Sequence, residues 1–246
     1  MPDQDTLIID RRFHGPPNSG NGGYVAGRLA GRIAGTTEVT LRLPPPLEKE
    51  LIIKKDGAGG VRLMDGDRLV AEARPVEMSL TVPDSPGLAA ARKAVERFPG
   101  YEQHPFPTCF TCGHQREEGD GLRILSSPLE GTEAMAAPWV PHPSMADAAG
   151  EVLPEMLWAA LDCPGAWPLV EGMLRRHFSA EAYMLLGRIA ANLSSPVLSG
   201  QSCVTLGWPI GRDGRKLFSG SAIFAEDGTL IASAKATWLV MEPEQH

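Results

Sequence analysis

One succession of patterns occurs twice in this chain, and that repetition limits the fold more than any other feature. In the first half a short apolar run, Leu7-Ile8-Ile9, precedes a Gly/Pro loop from His14 to Gly23. From Tyr24 the period becomes helical, with Tyr24, Val25, Leu29, Ile33 and Ala34 three or four apart and Gly35 as the expected stop. Gly27 and Gly31 lie within that stretch; they weaken a helix but let another backbone approach closely. Strand patterns follow at Glu38–Leu43, Leu51–Ile53, Val61–Leu63 and Arg68–Leu80, with a hairpin turn at Asp65-Gly66-Asp67. The second half starts near Leu122–Leu125 and continues with a strand around Glu133–Val140 and a loop containing Pro141, Pro143 and Gly150. A helix then opens at Pro154 and is ended or kinked at Pro164-Gly165. Strands are expected at Leu185–Asn192, Cys203–Leu206, Leu217–Ala225 and Leu230–Met241. The endings correspond closely: Met64-Asp65-Gly66-Asp67-Arg68-Leu69 matches Ala225-Glu226-Asp227-Gly228-Thr229-Leu230.

These patterns predict an α+β chain in which each half wraps an antiparallel sheet around one central helix. Three regions follow: 1–82, a joining segment 83–121, and 122–246. The joining segment carries a candidate helix at Pro86–Phe98 and a Cys-x-x-Cys loop, Cys109-Phe110-Thr111-Cys112-Gly113.

Charge narrows the function. The 30 acidic residues outnumber the 23 basic ones, for a formal net charge of -7, which argues against nucleic acid as the main partner. The acidic start, Met1–Asp5, lacks the basic and apolar regions of a signal peptide, and no apolar run reaches membrane-spanning length. Four Cys form no disulfide framework. A reducing, cytoplasmic setting without a membrane span is expected.

Two local motifs bear chemistry. Asn21-Gly22-Gly23-Tyr24 opens the first helix, and Asp162 lies among apolar residues of the second. Backbone amides at a helix N-terminus can stabilise an oxyanion, and glycine leaves them sterically open. A carboxylate among Leu157, Ala160 and Leu161 is desolvated, so its pKa rises toward the range of a general base. The plainer alternatives are an ordinary turn at the glycines and a hydrogen-bonded carboxylate at a helix end. Glu151 and Glu155 read as first-turn acids favoured by the helix dipole.

With these residues in hand, the chain resembles the hotdog fold. Its two copies are similar to the double-hotdog acyl-CoA thioesterases of the acyl-CoA thioesterase II type. The resemblance covers nearly the whole chain outside the joining segment. Gly22-Gly23-Tyr24 is similar to the Gly-Gly helix start of such enzymes, and Asp162 lies seven residues after Glu155, the offset from the second Gly of the helix start at which phenylacetyl-CoA-type hotdog thioesterases carry an acid, with Pro154-Glu155 set against Gly-Gly. The same offset from Gly23 lands on Ala30, which leaves one acid and one Gly loop divided between the halves. The resemblance implies hydrolysis of an acyl-CoA or related thioester. Asp162 would be base or nucleophile, and Gly22, Gly23 and Asn21 the oxyanion site. Ser19, Tyr24, Glu155, Gln201 and Thr205 would contact substrate. The pattern departs from the family around Ala236-Thr237, where a Gln is expected, and at the Pro154-Glu155 helix start. A non-catalytic acyl-CoA or lipid-binding protein is the rival reading. Homodimerisation is open to either.

The Cys-x-x-Cys-Gly loop is similar to one zinc knuckle, which would need two more ligands, with His104 and His114 the candidates. A redox pair and a packed or ligand-facing loop are the alternatives. The packed loop is the reading adopted, and no metal or cofactor is expected. Cys163, Cys203, Trp158, Trp167 and Trp238 read as core or pocket wall. No Gly-x-Ser-x-Gly nucleophile motif occurs. Arg175, Arg176, Arg212, Arg215 and Lys216 are candidates for coenzyme A phosphates, with a solvated face as the plainer reading.

Overall fold

Eleven strands bond edge to edge into one antiparallel sheet in the computed structural model, which describes residues 5–242. The acidic start before Asp5 lies outside the described residues. The first half supplies β1 (Thr6–Ile8), β2 (Thr37–Leu41), β3 (Glu50–Lys55), β4 (Val61–Asp65) and β5 (Arg68–Pro75). The second supplies β6 (Ser127–Pro128), β7 (Met135–Trp139), β8 (Tyr183–Leu193), β9 (Cys203–Asp213), β10 (Lys216–Ala225) and β11 (Leu230–Met241). The sheet order is β1-β3-β4-β5-β2-β8-β11-β10-β9-β7-β6. Read inward from either end, and setting β6 aside, each half follows the order first, third, fourth, fifth, second. The halves join where β2 pairs with β8, Val39 opposite Ile189. The halves therefore share one sheet and one apolar core, which includes Leu7, Leu29, Trp158, Leu161 and Trp238.

Helix α1 (Gly22–Ala30) begins where the Asn21 side chain accepts from the Tyr24 amide at 2.9 Å. It ends at Gly31, earlier than the Gly35 stop expected from sequence; Gly35 instead sits at φ +77° in the following loop. Helix α3 (Pro154–Leu169) starts at the expected proline and is apolar nearly all round, and Met156–Gly165 is buried throughout. It continues through Pro164 and Pro168 and then runs into a π-turn at Val170–Leu174. An interior proline normally costs about 3 kcal/mol, because a backbone bond is lost and the ring crowds the preceding turn. Here the helix is packed closely by the surrounding sheet. Ser221 donates to Leu161 O at 2.6 Å, and β9 presses Gly207 against Pro164 O.

The joining segment is structural rather than a free linker. Helix α2 (Leu88–Ala94) covers the sheet face opposite α3, packing Leu88 and Ala91 against Ala136, Val204, Leu206, Ala222 and Phe224. The neighbours Ala137, Cys203 and Ile223 point to the other face, as strand alternation requires. Two expected strands are corrected. Leu122–Leu125 forms no regular strand, because its amides at Leu122 and Ile124 bond to Phe110 O and Thr111 O of the Cys loop. The fifth strand stops at Pro75 instead of running to Leu80, because proline has no ladder donor.

Candidate functional site

The two central helices cross where both have shed bulk. A Cβ at Gly23 would lie 2.6 Å from Trp158 O and 2.7 Å from Asp162 Cβ; one at Gly27 would lie 2.6 Å from Glu155 Cα. Ascending α1 therefore descends α3, and the helices run antiparallel. Only glycine permits this approach, which brings the N-terminus of α1 onto Asp162. The Gly23 amide donates to Asp162 Oδ2 at 2.8 Å. The acid of one half and the Gly-rich helix start of the other thus form one buried contact.

Asp162 is 3% exposed. Desolvation pushes its carboxyl up to about 7, while the Gly23 amide and the Asn21 side chain pull in the opposite direction. Asn21 caps α1 through its oxygen, and its Nδ2 points at Cys109 Sγ, 3.8 Å away. The Cys loop therefore packs on the same helix start. Thr111 of that loop donates to Ala159 O of α3 at 3.0 Å.

Two cavities adjoin this contact. One, of about 510 Å³, is walled by Cys109, Cys112, Cys163, Trp167, Leu174 and Trp238. The other, of about 440 Å³, is walled by Ser19, Gly22, Leu41, Pro45, Leu186 and Met241. Phe106 and Tyr183 line both, and their rings stand edge to face at 6.0 Å. Volumes of this size and mainly apolar walls suit a small ligand or an acyl chain. Gly22 faces one cavity and Cys163 the other, while Asp162 lies behind both walls.

The structure distributes the remaining sequence candidates unevenly. Ser19 and Gly22 line the second cavity. Tyr24 stacks on Phe13 at 4.0 Å between ring centroids and accepts from Arg28 through its hydroxyl. Glu155 pairs with Arg28 at 3.7 Å across the helix crossing. Gln201 and Thr205 are not gathered with Asp162. Gln201 accepts from Leu198 N in its own loop, and Thr205 donates to Ala137 O between β7 and β9. Of the basic candidates, Arg175 reaches the rim of the larger cavity, bonded to Glu171 and Gln103.

Of the two histidines considered as zinc ligands, His114 keeps a buried Nδ1 with no hydrogen-bond partner among the described residues, while His104 is engaged. His104 spends Nε2 on Cys112 O and Nδ1 on Phe106 N. Cys109 and Cys112 are joined instead by Cys163, and their three sulfurs lie within 4.8 Å of one another. Sequence reading left Cys163 as pocket wall. The signal available was its place beside Asp162, on the helix turn that the Cys loop covers.

No family model matches the chain, and no curated protein matches it by sequence. Solved structures do match. A conserved protein from Alicyclobacillus acidocaldarius described as having a hot dog fold superposes with a TM-score of 0.63 at 13% identity, covering 99% of this chain and 95% of that one. The chain has the hotdog fold. The tesB protein of Mycobacterium avium subsp. paratuberculosis gives 0.60 at 10% identity, over 96% of this chain and 92% of its own. The acyl-CoA thioesterase II TesB2 of Mycobacterium marinum gives 0.57 at 13%, over 98% and 94%. In the hotdog chain described here, no helix among the described residues is long and apolar enough to cross a membrane.

Proposed function

We propose that this chain is two hotdog units in tandem and that it hydrolyses an acyl thioester of coenzyme A or a similar thiol. The repeated strand order and the full-length likeness to thioesterase II structures support the tandem reading. One observation carries the chemistry: a buried carboxylate of one half bonded to a glycine amide at the helix N-terminus of the other. Without ligand these two groups satisfy each other. A thioester carbonyl taking the Gly23 amide releases the Asp162 carboxylate to bind water. The amide then faces the developing oxyanion, where a fixed donor contributes most. Asp162 takes a proton from the attacking water, and the departing thiolate recovers one when the tetrahedral intermediate collapses. The apolar cavities hold the acyl chain, with Ser19 and Gly22 along one wall and Arg175, paired with Glu171, at the rim of the other. Both halves supply the site within one chain, so a second copy is not required.

A second reading has its own support. Asp162 lines neither cavity, which suits a protein that binds acyl thioesters or lipids without turning them over. A panel of acyl-CoAs of increasing chain length, followed by thiol release, separates the two. Hydrolysis that falls by about 10²-fold or more in Asp162→Ala is the expected result for base catalysis. Saturable binding with no thiol release, the same in the variant, would establish the binding reading.

A further inference from the structure

Cys109, Cys112 and Cys163 wall the larger cavity but make or break no bond in the proposed hydrolysis, and they are the most concentrated group of soft ligands among the described residues. Each is a buried free thiol, and the three sulfurs lie within 4.8 Å of one another. Cys109 Sγ and Cys163 Sγ are 3.8 Å apart, far beyond a disulfide bond. Four sulfurs tetrahedrally placed at about 2.3 Å from a zinc ion stand roughly 3.8 Å from one another. The Cys109–Cys163 pair already has the spacing of one edge of such a site, and Cys112 Sγ lies within 4.8 Å of both.

The loop has the matching backbone form. Gly113 N donates to Cys109 O at 2.9 Å, closing a tight turn around the pair. The amides of Thr111 and Cys112, together with the side-chain amide of Asn21, are directed at the Cys109 sulfur. Such donors support a thiolate, the form that binds metal. Cys163 Sγ approaches the same sulfur to 3.8 Å, and Cys112 Sγ lies within 4.8 Å of both. All three residues border the larger cavity, so a fourth position would face open space. His104 is committed on both ring nitrogens. An open fourth position is the arrangement of a zinc site that takes an exchangeable ligand.

We propose that Cys109, Cys112 and Cys163 bind one thiophilic d10 cation, Zn²⁺ foremost, with a water or an exogenous thiol as its fourth ligand in the cavity. The ion would tie the joining segment to the second central helix. The inference stands independently of hydrolysis.

The test uses the full chain, reduced, stripped with chelator and kept anaerobic. Cd²⁺ is titrated in while the sulfur-to-cadmium charge-transfer absorption is followed. One equivalent should saturate the band. Cys163→Ser should lower its intensity by about a third and weaken binding at least tenfold. Cys203→Ser, a buried thiol outside the trio, should leave both unchanged. X-ray absorption of the Zn²⁺-loaded wild-type chain should show three sulfurs and one lighter atom, a result that does not depend on any variant folding. The proposal is overturned by no saturable band at stoichiometric Cd²⁺. It is equally overturned by a two-sulfur zinc shell, or by a wild-type response in Cys163→Ser.

Discussion

The helix crossing can be tested by adding a single methyl group. In Gly23→Ala the new Cβ would meet Trp158 O at 2.6 Å, Asp162 Cβ at 2.7 Å and Ala159 Cα at 3.0 Å. Carbon contacts settle at about 3.5–4.0 Å, so the helices must part by roughly 1 Å. Two of the three obstructing atoms are backbone and cannot rotate away. Overpacking of this kind costs about 1–3 kcal/mol. Parting the helices also stretches the Gly23–Asp162 bond, worth about 1.5–3 kcal/mol when the acceptor is charged. Alanine's better helix propensity returns about 1 kcal/mol at most. The net loss is about 1.5–5 kcal/mol, which for a chain of this size lowers the melting temperature by roughly 3–20 °C. Guanidinium unfolding followed by tryptophan fluorescence measures it. Gly172→Ala is the control, because a Cβ there meets nothing within 4 Å. Equal unfolding midpoints for the two variants would refute the tight crossing and the site built on it.

Two further outcomes follow from the same geometry. The Asp162 carboxyl is raised by burial to about 7, whereas an unfolded Asp titrates near ~3.9. Between those values the folded chain holds a proton that the unfolded chain has lost, so stability falls as pH rises, by roughly 4 kcal/mol over the whole window, and levels off above it. Asp162→Asn should remove this slope; in chelator-treated protein its stability relative to wild type should improve by roughly 3 kcal/mol from pH ~5 to ~8, and parallel curves would exclude a raised carboxyl. At Gly207 a Cβ would lie 1.8 Å from Pro164 O, so Gly207→Ala should cost at least ~3 kcal/mol by driving β9 from α3, whereas Gly211→Ala in the same strand, with open space around it, should unfold like wild type.

Local pattern was enough to read most of the secondary structure. Alternation marked the long strands at Leu217–Ala225 and Leu230–Met241, and acidic-Gly turns marked their hairpins, because period two and positive φ are properties of neighbouring residues. Pro154 announced the start of α3, and the doubled order of elements pointed to the repeated architecture. Asp162 stood out because an acid among buried apolar residues is conspicuous in any register.

What tertiary structure alone decided depends on contacts between distant parts of the chain. The β2–β8 pairing merges the halves into one sheet, and nothing local to Thr37–Leu41 names its partner. The Gly23–Asp162 bond spans 139 positions, and Cys109 meets Cys163 across 54. Around Pro164, helix α3 is met by Ser221, which bonds Leu161 O, and by Gly207, which packs against Pro164 O, contacts from distant strands that local propensity cannot express. Gln201 and Thr205 looked suitable by residue type, but their own strand and loop claimed their hydrogen bonds first. Sequence determines which groups a segment can offer; packing determines which of them meet and which polar atoms remain free for a ligand.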